Sequence, residues 1–169
     1  RIFSGDSSTG TSGTFSNAAH WGNLPDGTSA PTSGNIAIRV SEGRTLTVDI
    51  DNTPSYGEVQ IAGTGRVILR SAGSGAMTVA TGIYVATTAT LEIQGGVSFG
   101  ENAAIHVVGD NSVATISCGA EGSPFAIPSV GGYGTIDVSS GAYASFGGGT
   151  KIVNMTVEGA ATFTGAFEI

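Results

Sequence analysis

The stretch Leu46-Thr47-Val48-Asp49-Ile50 alternates aliphatic and polar residues with a period of two. This alternation is typical of a strand that buries one face and exposes the other. The pattern returns in Leu91-Glu92-Ile93-Gln94 and in Ile136-Asp137-Val138, and no segment of normal helical length lies between them. The chain is therefore predicted to consist of short, half-buried strands.

Outward from this stretch, apolar stripes recur about every 19 residues from Ile36 to Phe163. A first series contains Val48, Leu69, Val85, Ile105, Ile127, Phe146 and Phe163, and a second contains Ile61, Val79, Phe99, Ile116, Ile136 and Met155. A repeat of this kind indicates stacked units that bury their apolar faces against each other. We predict an all-β fold, a single-stranded parallel β-helix (β-solenoid) of about six to seven rungs with two strands per rung.

Glycine-rich turn signals separate the stripes, as at Gly95-Gly96 and Gly147-Gly148-Gly149. Glycine suits such corners because it accepts positive φ and lets neighbouring rungs approach closely. A β-sandwich also has strands every 8 to 12 residues, roughly, and is the alternative fold. The one clear hairpin pair, Asp26-Gly27, precedes the periodic region, which favours rungs over hairpins.

Residues 1–34 differ in composition from the rest of the chain. They are rich in Ser, Thr, Gly, Asn and Pro, and contain the bulky side chains Phe15 and Trp21. An open solenoid end exposes strand edges and an apolar axis, so it needs a cover. We interpret residues 1–34 as an N-terminal lead-in that caps a solenoid of residues 35–169, with Phe15 and Trp21 as plugs.

Composition excludes several classes of function. The formal net charge is −7, with one lysine and five scattered arginines, so the chain lacks the clustered cations of a nucleic-acid-binding surface. The single cysteine excludes an internal disulfide and a multi-cysteine zinc site. No stretch approaches the length of a membrane span of about 18 apolar residues. We expect no nucleic-acid partner, no membrane insertion and no cofactor.

Residues 15–27, 34–38 and 43–49 carry a resemblance to known proteins. The first holds a tryptophan and a proline turn, and the last reads Gly43-Arg44-Thr45-Leu46-Thr47-Val48-Asp49. Together they resemble the lead-in of secreted bacterial β-helical surface proteins, the autotransporter-like passengers and adhesins. Phage fibres and tailspikes are similar in their rungs. The resemblance implies an extracellular, cell-surface or virion location and places no catalytic motif on any residue.

Paired carboxylates are the first candidates for chemistry on a β-helix. Asp49 and Asp51 lie two apart, which places both on the solvent side of one strand at roughly 7 Å. That spacing suits a shared cation or a catalytic pair, although two solvated strand residues are the simpler interpretation. We assign no catalytic residue and no metal site, keep Asp49 and Asp51 as weak metal candidates, and expect a protein that is not an enzyme.

Aromatic side chains near turns are the remaining candidates, because a ring can stack on a sugar or contact a neighbouring subunit. As ligand-contact or subunit-contact residues the sequence indicates Trp21, His20, Tyr56, Tyr84, Tyr133 and Tyr143. His106 points away from Ile105 and Val107 in its strand and is expected to be an exposed strand residue.

These observations favour a non-catalytic structural or adhesive module of an extracellular or virion-exposed assembly. It is expected to self-associate through solenoid faces or ends as a homo-oligomer or filament, with a surface polysaccharide as a further candidate partner. One alternative is a carbohydrate-binding or polysaccharide-depolymerising β-helix module. A phage capsid decoration or fibre subunit is the other.

Overall fold

The computed structural model describes residues 1–4, 12–22, 24, 27–86, 89–108, 115–118, 125–127, 130–132, 135–138, 140–141, 143–146, 150–151, 154–163, 165 and 167–168. This part of the chain is nearly all β. It contains no α-helix, and its single helical element is a 3₁₀ turn over Ala18–His20. The all-β prediction is therefore confirmed.

The strands are short and follow one another closely along the chain. The opening strands are β1 (Ile2–Phe3), β2 (Ser12–Thr14) and β3 (Trp21–Gly22). The next are β4 (Ser33–Val40), β5 (Thr45–Ile50), β6 (Ser55–Gly63), β7 (Arg66–Ser71), β8 (Met77–Ala86) and β9 (Thr90–Ile93). Then come β10 (Val97–Phe99), β11 (Ala104–Val108), β12 (Thr115–Cys118), β13 (Phe125–Ile127), β14 (Val130–Gly132) and β15 (Thr135–Val138). The last are β16 (Tyr143–Phe146), β17 (Thr150–Lys151), β18 (Asn154–Val157), β19 (Ala160–Phe163) and β20 (Phe167–Glu168).

Strands that alternate along the chain pair in parallel, in two sheets. In the first sheet β4 pairs with β6, β6 with β8, and β8 with β11. In the second, β5 pairs with β7, β7 with β9, and β9 with β12. A chain that passes from one sheet to the other and returns parallel to its own previous strand is coiling. Among the described pairs only β1 and β3 are antiparallel, so the fold is a β-solenoid and not the antiparallel β-sandwich.

Three successive turns, at residues 33–50, 55–71 and 77–93, are paired with their neighbours in both sheets. Parallel pairing continues later in the chain, in β13–β16–β19, β15–β18 and β17–β20. The expected total of six to seven rungs stays a prediction.

The long strand β8 turns a corner, and the sequence did not indicate it. Its first part, Met77–Val79, pairs with β10, whereas Gly82–Ala86 pairs with β11. The register of β6 against β8 also shifts between Tyr56 and Glu58. One strand of the early turns is thus continued by two separate strands in the next. The predicted two strands per rung are present where one continuous strand, such as β8, includes the corner. Where β10 and β11 replace that strand, the rung has more than two strands.

The predicted stripes are right as strands but partly wrong as columns. Leu69 pairs with Ile93, not with Val85, and Val85 lies in the other sheet between Ile61 and Val107. The predicted step from Val48 to Leu69 is correct, because these two residues are partners in β5 and β7. Alternation with a period of two is the same on every face, so it identifies a strand without identifying the sheet to which that strand belongs.

The core is a column of aliphatic side chains, each lying on its counterpart in the next turn. Ile38, Ile61, Val85 and Val107 are consecutive partners in the first sheet, and each is at most 1% exposed. Val48, Leu69 and Ile93 form the matching row in the second sheet. Full burial of such a side chain contributes about 1.5–3 kcal/mol. Contacts between turns therefore contribute to the stability of the whole stack.

An aromatic cap closes the N-terminal end of this column. The ring of Phe3 lies 5.1 Å from that of Trp21, edge to face, and 5.2 Å from that of Phe15. Phe15 and Trp21 are buried, as expected for plugs. The lead-in also contributes strands, since β1 pairs with β4 and β2 with β5. The cap therefore extends both sheets and covers the apolar axis with rings.

Gly75 lies where two turns touch. A Cβ atom added there would overlap the backbone carbonyl oxygen of Ile50, in the turn before. Because that oxygen belongs to the main chain, the overlap cannot be relieved by a rotamer change. The two turns lie so close together at this corner that only glycine, which has no Cβ atom, fits there.

We predict that Gly75→Ala lowers the free energy of unfolding by about 1–3 kcal/mol, the range for forced overpacking. Gly22→Ala is the matched control, because a Cβ atom there would meet the carbonyl oxygen of Ile2 at an ordinary 3.8 Å. Urea unfolding followed by circular dichroism measures both. Equal midpoints for the two variants would contradict the close approach at Gly75.

Candidate functional site

The outward face of the first sheet carries a row of polar and aromatic side chains, which we call the outer strip: Asn35, Glu58, Gln60, Tyr84 and His106. Alternation sends Ile83 and Val85 into the core, so Tyr84 between them points outward. His106 does the same between Ile105 and Val107, as the sequence indicated. The strip is therefore a direct consequence of the apolar pattern that builds the core.

The register brings the two rings of the strip into contact. Gln60, Tyr84 and His106 are partners in successive strands β6, β8 and β11. The rings of Tyr84 and His106 are stacked, with centroids 4.5 Å apart and planes 17° from parallel. Neighbouring parallel strands lie about 4.8 Å apart, so two flat rings at matching positions meet face to face. Both side chains are half-buried.

Gly82 makes room for the imidazole. A Cβ atom on Gly82 would lie 3.1 Å from His106 Cδ2 and 3.3 Å from Nε2. With glycine there, the imidazole lies close over the backbone of β8.

Glu58 is held beside the rings by the preceding turn. The Asn35 Nδ2 amide donates to Glu58 Oε2 at 3.2 Å, and the Glu58 backbone N–H donates to Asn35 Oδ1 at 3.1 Å. These reciprocal bonds hold the half-buried Glu58 carboxylate close enough to the ring pair for its charge to act on His106. Burial lowers the pKa of His106, and the negative charge of Glu58 partly opposes this by favouring the imidazolium. The strip thus combines ring faces, an imidazole and a carboxylate, which suits stacking and hydrogen bonding with a ring-shaped ligand.

Comparisons with family models, curated proteins and solved structures gave no match.

Asp49 and Asp51 are engaged by different parts of the structure. Asp49 forms an ion pair with Arg70 on the next turn, in which Arg70 Nη2 donates to Asp49 Oδ2 at 3.3 Å. Asp51 accepts from the Ser16 backbone N–H at 3.0 Å and from the Ser16 hydroxyl. One carboxylate thus joins two turns and the other ties the cap to the first turn. Within the described residues, no group of three or more His, Cys, Asp or Glu side chains is arranged to hold a metal ion.

Glu92 belongs to a second ion pair across turns. It contacts Arg66 of the preceding turn and accepts from Gln94 Nε2 at 2.6 Å. Burial alone would raise the pKa of Glu92, but the hydrogen bonds from Gln94 and Arg66 and the Arg66 charge together lower it. The Arg66–Glu92 and Asp49–Arg70 pairs lie on the outward face of the second sheet. Exposed pairs of this kind contribute at most about 1 kcal/mol each.

Three of the candidate contact residues lie in or near the cap. Trp21 is 3% exposed, and its indole N–H donates to the Phe15 carbonyl at 2.9 Å. Tyr56 is 1% exposed, and its hydroxyl donates to the Pro31 carbonyl at 2.8 Å; burial raises the pKa of this phenol. His20 is half-buried and accepts at Nδ1 from the Thr14 N–H at 2.9 Å. The rings of Trp21 and Tyr56 therefore pack the cap and are not presented to a ligand.

The remaining candidate contact residues are Tyr84, Tyr133 and Tyr143. Tyr84 lies in the outer strip. Tyr143 begins β16, but its side chain is not described. Tyr133 falls outside the described residues. Sequence reasoning selected Tyr84 but missed its strand partners Gln60 and His106, because only the register shows that these positions are adjacent.

None of the described helical segments has the length and apolar character needed to cross a membrane.

We predict that His106 titrates below the ordinary imidazole value of about 6.5, because burial disfavours its charged form. The folded chain then binds this proton less tightly than the unfolded chain, so stability decreases as the pH falls through and below about 6.5. NMR titration of the His106 ring protons measures the pKa. Glu58→Gln should lower that pKa further, since it removes the charge that favours the imidazolium. A His106 pKa at or above 6.5 would contradict the burial argument.

Proposed function

We propose that this chain is a non-catalytic structural or adhesive module of an extracellular or virion-exposed assembly, and that it associates with its neighbours through the outer strip. The observation that carries the proposal is the stacked Tyr84–His106 pair on the outward face of a regular parallel sheet. The proposal has two parts, a stiff body and a contact surface.

The stiffness comes from bonds that join each turn to the next. Backbone ladders in both sheets run along the stack, and the aliphatic column lies inside it. On the outside, the Asp49–Arg70 and Arg66–Glu92 pairs each connect neighbouring turns. Asp51 fastens the cap through Ser16. Asp49, Asp51 and Glu92 each join two parts of the structure in this way. These contacts support a structural role for the three carboxylates, and not a catalytic one.

The contact surface comes from side chains that the body does not use. Tyr84 and His106 form a stacked ring pair on β8 and β11, and Asn35 holds Glu58 beside it. Tyrosine is enriched in protein interfaces because it offers a large ring at low conformational cost together with a hydroxyl group. A repetitive sheet face that carries such a ring pair suits side-by-side association with a second copy or attachment to a partner.

We predict that the full chain self-associates as its concentration rises and that Tyr84→Ala weakens this association about tenfold, a loss of about 1.4 kcal/mol. Sedimentation equilibrium over a wide concentration range measures the dissociation constant. Thr78→Ala is the control, since Thr78 is an exposed residue of the same strand outside the strip. A chain that stays monomeric throughout, or equal weakening by both variants, would overturn assembly through the strip.

Carbohydrate recognition is the second candidate function, and the same ring pair with its adjacent Glu58 carboxylate favours it. Sugars stack on aromatic faces and donate hydrogen bonds to carboxylates. If this is the function, immobilised glycans should retain the wild-type chain, and Tyr84→Ala should lose that retention while Thr78→Ala keeps it.

A reducing-end assay on the retained glycans separates binding from cleavage. For a binding module we expect no new reducing ends. Cleavage that disappears in Asp49→Asn would instead indicate a depolymerase and would contradict the non-catalytic proposal.

A further inference from the structure

A cleft opens at the corner where β4 passes into β5. Its volume is about 220 Å³, and it is lined by Ser4, Arg39, Val40, Ser41, Arg44 and Leu46. Arg39 is near the end of β4 and Arg44 directly precedes β5. The corner thus places two arginine residues around one small opening.

Among the described residues, the lack of an ion-pair partner sets these two arginines apart. Arg66 and Arg70 are paired with Glu92 and Asp49. For Arg39 and Arg44 the described part of the chain provides no ion-pair or hydrogen-bond partner to the side chain. Both are exposed, and the neighbouring Glu42 does not line the cleft. Two unpaired cations around one opening, in a chain of net charge −7, create a local positive site that an anion would stabilise.

The backbone beneath the cleft is fixed by the following turn. The Val40 carbonyl accepts from the N–H groups of Thr64 and Gly65 at 3.3 and 3.4 Å, and the Arg44 carbonyl accepts from the Arg66 N–H at 2.9 Å. A Cβ atom on Gly65 would lie 2.6 Å from the Arg44 carbonyl oxygen, so the two corners are in tight contact. Such a corner holds the bases of both arginines in place before any ligand arrives, which lowers the entropy cost of binding.

The remaining lining indicates the size and kind of ligand. Val40 and Leu46 are 7% and 1% exposed and form an apolar wall. Ser4 and Ser41 are the uncharged polar residues of the lining. The volume is below the roughly 300–1,000 Å³ of sites that hold drug-sized ligands, so the cleft suits one small group. Guanidinium forks match the geometry of carboxylate, sulfate and phosphate oxygens.

We propose that the Arg39–Arg44 cleft is an oxyanion-binding site, which takes a single carboxylate, sulfate or phosphate group. Arg39 and Arg44 donate to the oxyanion from two sides, and the serine hydroxyls complete its hydrogen bonds. This site is independent of the outer strip, and it requires neither self-association nor saccharide binding by the rings.

The test follows the arginine Nε–Hε signals of the intact chain by NMR during titration with sodium glucuronate, sodium sulfate or sodium phosphate. Ionic strength is kept constant with sodium chloride, because exposed charges are sensitive to screening. We expect saturable shifts of the Arg39 and Arg44 signals. Arg44→Gln and Arg39→Gln should each raise the dissociation constant at least about tenfold, a loss of about 1.4 kcal/mol. Arg1→Gln, which removes the same charge outside the cleft, should leave it unchanged.

Binding of either a sugar carboxylate or a free inorganic ion would support the site, and the three probes distinguish these two ligand sources. Tighter binding of glucuronate than of sulfate and phosphate indicates a carboxylate carried by a sugar, whereas the reverse order indicates a free inorganic ion. Shifts that stay linear to the end of every titration would overturn the proposal, as would equal weakening by Arg1→Gln and Arg44→Gln. Thermal unfolding of the three variants confirms that each is folded, and Arg39→Gln provides the test if Arg44→Gln is not.

Discussion

The structure depends on one constraint: an inward aliphatic side chain must lie on the inward aliphatic side chain of the next turn. The row from Ile61 to Val85 to Val107 satisfies it, and every one of these side chains is almost completely buried. Since a solenoid repeat buries its apolar face against its neighbours, a single turn has little stability of its own. The corners, the glycine contacts between turns and the aromatic cap all maintain this alignment or protect its end.

The outward chemistry follows from the same alignment. Once Val85 is placed over Ile61, the outward neighbours Gln60, Tyr84 and His106 are also in register. The ring stack and the ion pair between Asp49 and Arg70 are products of that register. The surface thus acquires ordered side chains without a dedicated loop or cleft. This is the physical basis for proposing a contact surface, because groups in fixed rows can meet an equally regular partner.

The alternating pattern was sufficient to predict strands, the recurrence of the apolar stripes predicted a coiling chain, and the bulky rings of the lead-in predicted buried plugs at Phe15 and Trp21. The alternating pattern was insufficient for the columns, because Val85 and Ile93 are both buried aliphatic residues that follow Leu69 and only pairing distinguishes them. It also failed to indicate that Tyr56 is buried, since the ring partners of that tyrosine come from distant positions in the lead-in. Local sequence indicates whether a side chain points inward or outward. To predict its neighbours one turn away, the lengths of the intervening corners must also be known.

The burial of Tyr56 has a consequence for how this end of the molecule opens. Its ring lies against Phe15 and Trp21, and its hydroxyl group is bound to the Pro31 carbonyl, yet the residue itself belongs to the turn of residues 55–71. The aromatic cap is therefore anchored past the first turn, in the second turn. Separation of the cap would expose the Tyr56 ring in the second turn. Local opening in this region therefore involves the cap and the first two turns together, and not the first strand alone.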